Sequence, residues 1–364
     1  MFTKNSIRSL CGALAASLAG VSCDSTVAGP PAVDGTSFSR AEAHAYGPWV
    51  SAVSIEATPG TDPGFNTSSL DGCPNISRDG KTFYLASNRP GSLGLDIWVS
   101  TRDNEREGWS NPVRLDAPVN APAVAAPGTQ INDFCPSITG DGHLFFFASN
   151  RPYADAYGNV PCGGDDLYVT RRRGDGTFDE PHNLGCEVNS AANEAGPFLI
   201  EEPGRGRVLY FSSFRSGGAF PDAGPVIGDA DLYSSEWRGG SFAAPQLVPG
   251  VNTASDDGQP NLSQDALELY FYSTRPGEPG TTGTLGLADI FVATRASAHD
   301  AWGEPVNAGP SVNTALGAET RPFLSWDGTT LYFGSTAPAS VRPGAEGSSD
   351  IYMTTRARLR GRQD

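Results

Sequence analysis

Short runs of alternating apolar and polar residues, separated by turn residues, recur along most of the chain. The stretch from Asp71 to Asn120 contains four such runs in a row. Asp79-Gly80 separates the first two, because glycine tolerates positive φ and aspartate accepts hydrogen bonds from its own turn. Runs of this length that are rich in β-branched and aromatic residues predict β-strands. The predicted strands are 74–77, 82–87, 96–99 and 113–115.

This four-strand unit is repeated. The proline that opens its first strand returns at steps of 62, 61, 63 and 62 residues. A Ser-x-Arg motif ends the second strand in four copies, and the fifth copy, 335–337, lacks the arginine. An Asp-aliphatic-aromatic motif opens the third strand of every copy. Such repetition predicts an all-β propeller with four-stranded antiparallel blades. The repeated prolines are Pro74, Pro136, Pro197, Pro260 and Pro322.

The two ends of the repeat region complete each other. Residues 49–52 and 65–67 match the fourth strand and its exit turn, whereas the fifth copy stops after its third strand at 353–356. We therefore expect the N-terminal strand to complete the last blade of a five-bladed β-propeller over residues 46–358. This arrangement leaves no open sheet edge. Residues 359–364 form a basic tail.

The first residues have the features of an export signal. Lys4 and Arg8 precede an apolar stretch that is too short to span a bilayer, which predicts a signal peptide over residues 1–22. Cys23 follows a sequence similar to a bacterial lipobox, so we expect lipid attachment there; ordinary cleavage after Ala19 is the alternative. Residues 23–45 are Ser-, Thr-, Ala-, Gly- and Pro-rich and predict a flexible tether.

The repeat resembles a known family. The Pro-x-aliphatic-Ser-x-Asp-Gly run of 74–80, the Ser-x-Arg of 87–89 and the Asp-aliphatic-aromatic of 96–98 are similar to the WD40-like repeats of TolB-type periplasmic propellers. The resemblance covers nearly all of the chain after residue 46. It implies an exported bacterial protein, either periplasmic or a lipoprotein of the outer membrane or cell surface, that contacts the membrane through its lipid anchor only.

The net charge of the chain argues against one class of function. The formal net charge is −16, and loss of residues 1–22 with Lys4 and Arg8 makes it −18. That charge argues against nucleic-acid binding, which needs a basic surface.

Four cysteines follow the tether, which suits an oxidising compartment. Three pairings of the four are open, and we favour Cys73 with Cys135, at equivalent positions in adjacent blades, and Cys162 with Cys186. Zinc binding is the alternative, and no Cys-x-x-Cys supports it.

An acidic residue precedes every blade-opening proline by three positions. These five carboxylates lie on the face of the long loops after strands two and four, where they form a candidate axial ring. The ring would suit a cation such as Ca²⁺ or a lysine or arginine of a partner. The alternative, which we favour, is that each carboxylate accepts backbone N–H bonds or pairs with the arginine of Ser-x-Arg. No other cofactor is predicted. The ring residues are Asp71, Asp133, Glu194, Asp257 and Glu319.

The acids that open the third strands are also expected to be structural. We expect each to pair with the Ser-x-Arg arginine of its own blade. They are Asp96, Asp166, Asp231, Asp289 and Asp350.

The main functional prediction is a non-enzymatic scaffold that binds an envelope protein or a peptidoglycan-associated component. Long loops on a rigid fold commonly carry binding residues, and four candidates here are Tyr153, Tyr157, Phe220 and Arg342. The chain has no Gly-x-Ser-x-Gly and no His-Glu-x-x-His motif.

The alternative is a glycan-binding or glycan-hydrolysing propeller that uses axial carboxylates. Hydrolysis needs two carboxylates in unequal environments, whereas the ring offers five similar ones.

Overall fold

A computed structural model describes residues 46–122, 130–217, 230–276 and 284–359. Five antiparallel sheets follow one another along the chain, which confirms the all-β, five-bladed propeller. The predicted signal peptide, lipid site and tether lie outside the described residues. Among the described helices, none is long and apolar enough to cross a membrane.

Each blade runs from an inner first strand to a short outer fourth strand. The strands of the first two blades are β2 (Asp71–Ile76), β3 (Thr82–Ser87), β4 (Asp96–Thr101), β5 (Val113–Arg114), β6 (Asp133–Ile138), β7 (Leu144–Ser149), β8 (Asp166–Arg171) and β9 (His182–Asn183).

The strands of the third blade are β10 (Glu194–Glu202), β11 (Gly206–Ser213), β12 (Asp231–Arg238), β13 (Ser241–Phe242) and β14 (Gln246–Leu247). This blade differs from the others in that two short strands, β13 and β14, both pair with β12. The last two blades contain β15 (Asp257–Leu262), β16 (Glu268–Ser273), β17 (Asp289–Thr294), β18 (Val306–Asn307), β19 (Glu319–Leu324), β20 (Thr330–Ser335) and β21 (Asp350–Thr355).

The first strands begin three residues earlier than the prolines suggested, at the ring acids. Each is interrupted two residues after the acid by an irregularity in its pairing with the second strand. The residue there has φ between +48° and +61° in every blade, which turns its side chain out of the sheet. These residues are Cys73, Cys135, Gly196, Gln259 and Arg321.

The apolar core lies between the blades. Phe83 is fully buried, and its ring meets those of Phe65, Trp109 and Tyr332 edge to face at 5.1–5.7 Å. Tyr332 belongs to blade five, so this cluster joins the first blade to the last. Aromatic pairs in this geometry contribute about 1 kcal/mol each beyond the area they bury.

The predicted closure is confirmed. The short strand β1 (Val53–Ser54) pairs with β21 and completes the fifth blade. Asn66 strengthens this contact, because its Nδ2 donates to the carbonyl of Ile351 at 3.2 Å and its Oδ1 accepts from the Ile351 N–H at 2.8 Å. An asparagine makes the same pair of bonds in the other blades, between the exit turn and the third strand. The equivalents are Asn120, Asn189, Asn252 and Asn313.

Both disulfides are formed as favoured. Cys73 and Cys135 join blades one and two beside the axis, and Cys162 and Cys186 join two loops of blade two.

Asn66→Ala should lower the free energy of unfolding by about 2–4 kcal/mol, because it leaves the buried N–H and carbonyl of Ile351 without partners. Urea denaturation of the mature chain would measure this loss. Asn104→Ala, in an exposed turn, is the matched control and should change stability by less than about 0.5 kcal/mol. Equal loss in both variants would contradict the closing role of Asn66.

Candidate functional site

The five ring acids lie in the protein interior. Every one of them has a relative exposure of 0%. Arginines of the Ser-x-Arg motif contact four of them, and Arg342 contacts the fifth, Glu319, at 3.3 Å. The other pairs are Asp71–Arg89 (2.5 Å), Asp133–Arg151 (2.6 Å), Glu194–Arg215 (3.3 Å) and Asp257–Arg275 (2.6 Å).

Both oxygens of each ring acid accept hydrogen bonds from the protein. For Asp133, Oδ1 accepts from Arg151 and Oδ2 accepts from the N–H of Ala121 at 2.7 Å. Each ring acid therefore takes part in a buried ion pair, as the favoured interpretation expected. In the described ranges, no group of three or more His, Cys, Asp or Glu side chains is arranged to hold a metal ion.

Arg342 corrects one of the loop predictions. It is 5% exposed, and it supplies the arginine that the Ser-x-Arg position of blade five lacks. It therefore stabilises the fold and cannot contact a partner. Of the other three candidates, Tyr153 and Tyr157 are exposed, and Phe220 lies outside the described residues.

The expectation for the third-strand acids is wrong. Asp96 pairs with Arg114 at 2.7 Å, not with Arg89. Asp289 accepts the backbone N–H groups of Leu285 and Gly286, which belong to the loop before its own strand. A short loop in front of a strand leaves its N–H groups unpaired, so a buried carboxylate at the strand start satisfies them.

Asp133→Asn should destabilise the protein by about 3–5 kcal/mol, because Arg151 would keep its buried charge without a counter-charge. The change in the urea midpoint measures the effect. Asp116→Asn, exposed on the same face, serves as control. A loss of less than about 1 kcal/mol at Asp133 would show that the ion pair contributes little.

The blades differ from one another at the axis. When equivalent positions of the five blades are compared, most of them hold a small residue near the axis. Single blades hold a large polar side chain at the same position. Arg321 replaces Cys, Gly or Gln, and Tyr272 replaces Ala, Ser or Gly. Asp165 replaces Leu, Ala or Ser just before the third strand. We call Asp165, Gln259, Tyr272 and Arg321 the axial site.

Three glycines make room for three of these side chains. A Cβ atom at Gly72 would lie 3.2 Å from Nη1 of Arg321, and one at Gly258 would lie 2.5 Å from the ring of Tyr272. A Cβ at Gly196 would lie 2.9 Å from Cγ of Gln259. Arg321 and Gln259 therefore occupy space that glycines of neighbouring blades leave open, and Tyr272 occupies space left by a glycine of its own blade.

Arg321 is half-buried, and no carboxylate of the described residues lies within 4.0 Å of its guanidinium. Burial lowers its pKa, and the nearby Tyr272 hydroxyl offsets part of that effect. Burial, together with the negative charge of Asp256, raises the pKa of Tyr272 to about 12. At neutral pH the pair therefore offers a cationic fork and a neutral phenol.

Gln259 lies beside them with one free acceptor. Its N–H donates to Ser212 Oγ at 2.5 Å, and its Nε2 lies 3.5 Å from Cys135 Sγ. Its buried Oε1 has no hydrogen-bond partner. A cavity of about 40 Å³ runs along the axis between Gln259, Arg321 and the Cys73–Cys135 disulfide.

Asp165 differs from the ring acids in that its carboxyl group is partly buried and accepts no hydrogen bond from the described residues. In blade one its position is taken by Leu95, which packs against the axial disulfide. Burial raises the pKa of Asp165 to about 6, and the charges of Asp166 and Glu194 add to the shift. Within the described ranges, no donor or cation contacts its carboxyl group, although its backbone N–H donates to Asn193 Oδ1.

The opposite end of the axis is closed. Trp326 covers it, with its Nε1 donating to the carbonyl of Ile76 at 3.1 Å. Two recesses of about 480 and 360 Å³ lie beside it on the turn face. Burial acts to raise the pKa of Asp79 there, but hydrogen bonds from Ser77 and the Lys81 N–H lower it overall. Such a carboxylate completes its turn and does not serve as a proton donor.

The sequence carried a signal for the axial site that the prediction did not use. The prediction selected residues present in every blade. Those residues hold the fold, whereas the axial site consists of positions where single blades depart from the repeat.

Asp165→Asn should stabilise the protein at pH 8 but not at pH 4. The folded-state pKa, about 6, lies above the usual 3.8, so wild-type stability falls as pH rises through that interval. Because the group is only partly buried, the gain at pH 8 is about 1–3 kcal/mol. Urea denaturation at both pH values measures it. An equal effect at pH 4 and pH 8 would contradict the assigned environment.

Comparison with protein-family models finds no match, and neither does comparison with curated proteins. Solved structures do resemble the chain. An α-L-arabinofuranosidase from Lactobacillus brevis has a TM-score of 0.50 at 12% identity and covers 82% of this chain and 93% of its own. A family-43 endo-arabinanase from Bacillus licheniformis has 0.47 at 13% identity, with 79% and 94% covered. A putative TolB from Agrobacterium tumefaciens has 0.41 at 13% identity, with 86% and 100% covered.

At these identities the likeness shows a shared fold. It also bears on the main functional prediction, because the arabinofuranosidase with a TM-score of 0.50 is a glycoside hydrolase. The prediction of a non-enzymatic scaffold for envelope proteins is contradicted by this comparison. The version of the glycan alternative that used the ring carboxylates does not fit their burial.

Proposed function

We propose that the chain is an exported, glycan-hydrolysing propeller whose active site is the axial site on the long-loop face. The observation that carries the proposal is the carboxyl group of Asp165, which is partly buried in front of the third strand of blade two and which no donor or cation of the described residues contacts. A carboxyl group in that setting can be protonated when a glycan binds and can donate to the leaving oxygen.

Its pKa supports this role. A value of about 6 keeps much of Asp165 protonated in mildly acidic medium, as a general acid requires. Asp79 and Asp141, on the turn face, have lowered pKa values and cannot act in this way.

Hydrolysis also needs a second carboxyl group, and we assign this role to Asp256. Its Oδ1 accepts from the Ala230 N–H at 3.0 Å. The equivalent residues in the two preceding blades are Asn132 and Asn193, which accept in the same way with a neutral amide. Asp256 therefore adds a negative charge where the repeat has none, next to Tyr272.

The propeller fold and the two disulfides support the proposal. Related propeller folds include arabinofuranosidases and an endo-arabinanase, so the architecture accommodates glycans. Two disulfides indicate an oxidising compartment. We further propose that Cys23 carries the lipid and that the substrate is a glycan reached outside the cytoplasm.

The test is release of reducing ends from a panel of plant and bacterial polysaccharides by the mature chain. Asp165→Asn should lower the rate by about 10²–10⁴-fold with the substrate still bound, since loss of a general acid costs that much. The wild-type rate should fall as pH rises above about 6, where Asp165 loses its proton.

Asp116→Asn is the matched control and should retain full activity. Full activity in Asp165→Asn, or no hydrolysis of any polysaccharide by the wild type, would overturn the proposal.

A further inference from the structure

We infer that Arg321 and Tyr272 bind the carboxylate of a uronic acid, so that the glycan is acidic. The inference rests on the proposed function, because it names the substrate class of the same site.

The first argument is the isolation of Arg321. The five arginines at the ring acids each contact a carboxylate, and so do Arg295 and Arg356, which pair with Glu202 and Glu268. Arg321 is half-buried and has no such contact among the described residues. A guanidinium removed from water without a counter-charge is costly to the fold, so an anion supplied from outside would offset that cost.

The second argument is the orientation of the side chain. Arg321 has φ of +59°, and this backbone turn directs it out of its sheet towards the axis. It lies against Gly72 of the next blade, where a Cβ atom would make a tight contact of 3.2 Å with Nη1 of its guanidinium. The same position is cysteine, glycine or glutamine in the other blades, so nothing in the repeat requires an arginine.

The third argument concerns the kind of anion. A guanidinium donates two parallel hydrogen bonds to a planar carboxylate, and the neutral Tyr272 hydroxyl adds a third donor beside it. One cation with no counter-charge among the described residues matches the single negative charge of one carboxylate better than the two charges of a phosphate dianion.

The experiment compares binding of trigalacturonate with that of its methyl ester, which has the same sugars without the charge. Isothermal titration of the mature wild type should show trigalacturonate at least tenfold tighter than the ester. Arg321→Gln should remove that difference by weakening the binding of trigalacturonate to about the level of the ester. Arg321→Lys should restore part of it, because lysine keeps the charge without the fork.

Arg78→Gln is the matched control, since Arg78 is exposed on the turn face and should not affect either ligand. Thermal unfolding of each variant checks the fold, and Arg321→Gln should be at least as stable as the wild type.

Equal binding of acid and ester by the wild type, or an undiminished preference in Arg321→Gln, would overturn the inference and leave the hydrolase proposal standing. A preference for a sulfated trisaccharide over trigalacturonate would also overturn it. No hydrolysis of any glycan would overturn the proposed function itself, which separates the two failures.

Discussion

A buried arginine–carboxylate pair holds each blade of this propeller to the blade before it. Arg151 shows the whole arrangement: it contacts Asp133 at the start of its own first strand, Ser149 at the end of its second, and the carbonyl of Val119 in the preceding exit turn at 2.7 Å. Its guanidinium also lies over the rings of Phe147 and Tyr168. Because Nε and Nη2 of Arg151 donate to these groups, the cost of burying the charge is reduced, and the contacts favour one orientation of the two blades.

The repeat explains why the fold could be predicted from the sequence and why one arginine could not be placed. Motifs recur because each blade must make the same contacts, so their spacing reveals strands, turns and closure. Arg342 belongs to no motif. It reaches Glu319 from a long loop, and its partner is a glutamate, one methylene longer than the aspartates of blades one, two and four. Only the three-dimensional path of the loop brings the two together.

The candidate site was missed for the opposite reason. A ring of five identical groups presents the same contacts in five orientations, whereas a glycan has distinct ends and faces. A site for it must break the symmetry of the scaffold. Asp165 and Arg321 do so with ionisable side chains of opposite sign on different blades, in positions that hold uncharged residues in the other blades. In a repeat protein of this kind, the candidate site residues are therefore best sought at positions where one blade departs from the repeated sequence.

The closure of the ring has a consequence for how the protein matures. Val50 and Thr354 hydrogen-bond across 304 residues of chain, and β1 has no other strand to pair with in the described structure. During synthesis the strand β1 emerges early, yet its partner β21 emerges almost last. Until then four blades expose the edge of an unfinished circle, a template for pairing with other chains. The open sheet edge is therefore covered only when β21 has been synthesised and pairs with β1. Truncation of the chain before β21 would leave that edge exposed.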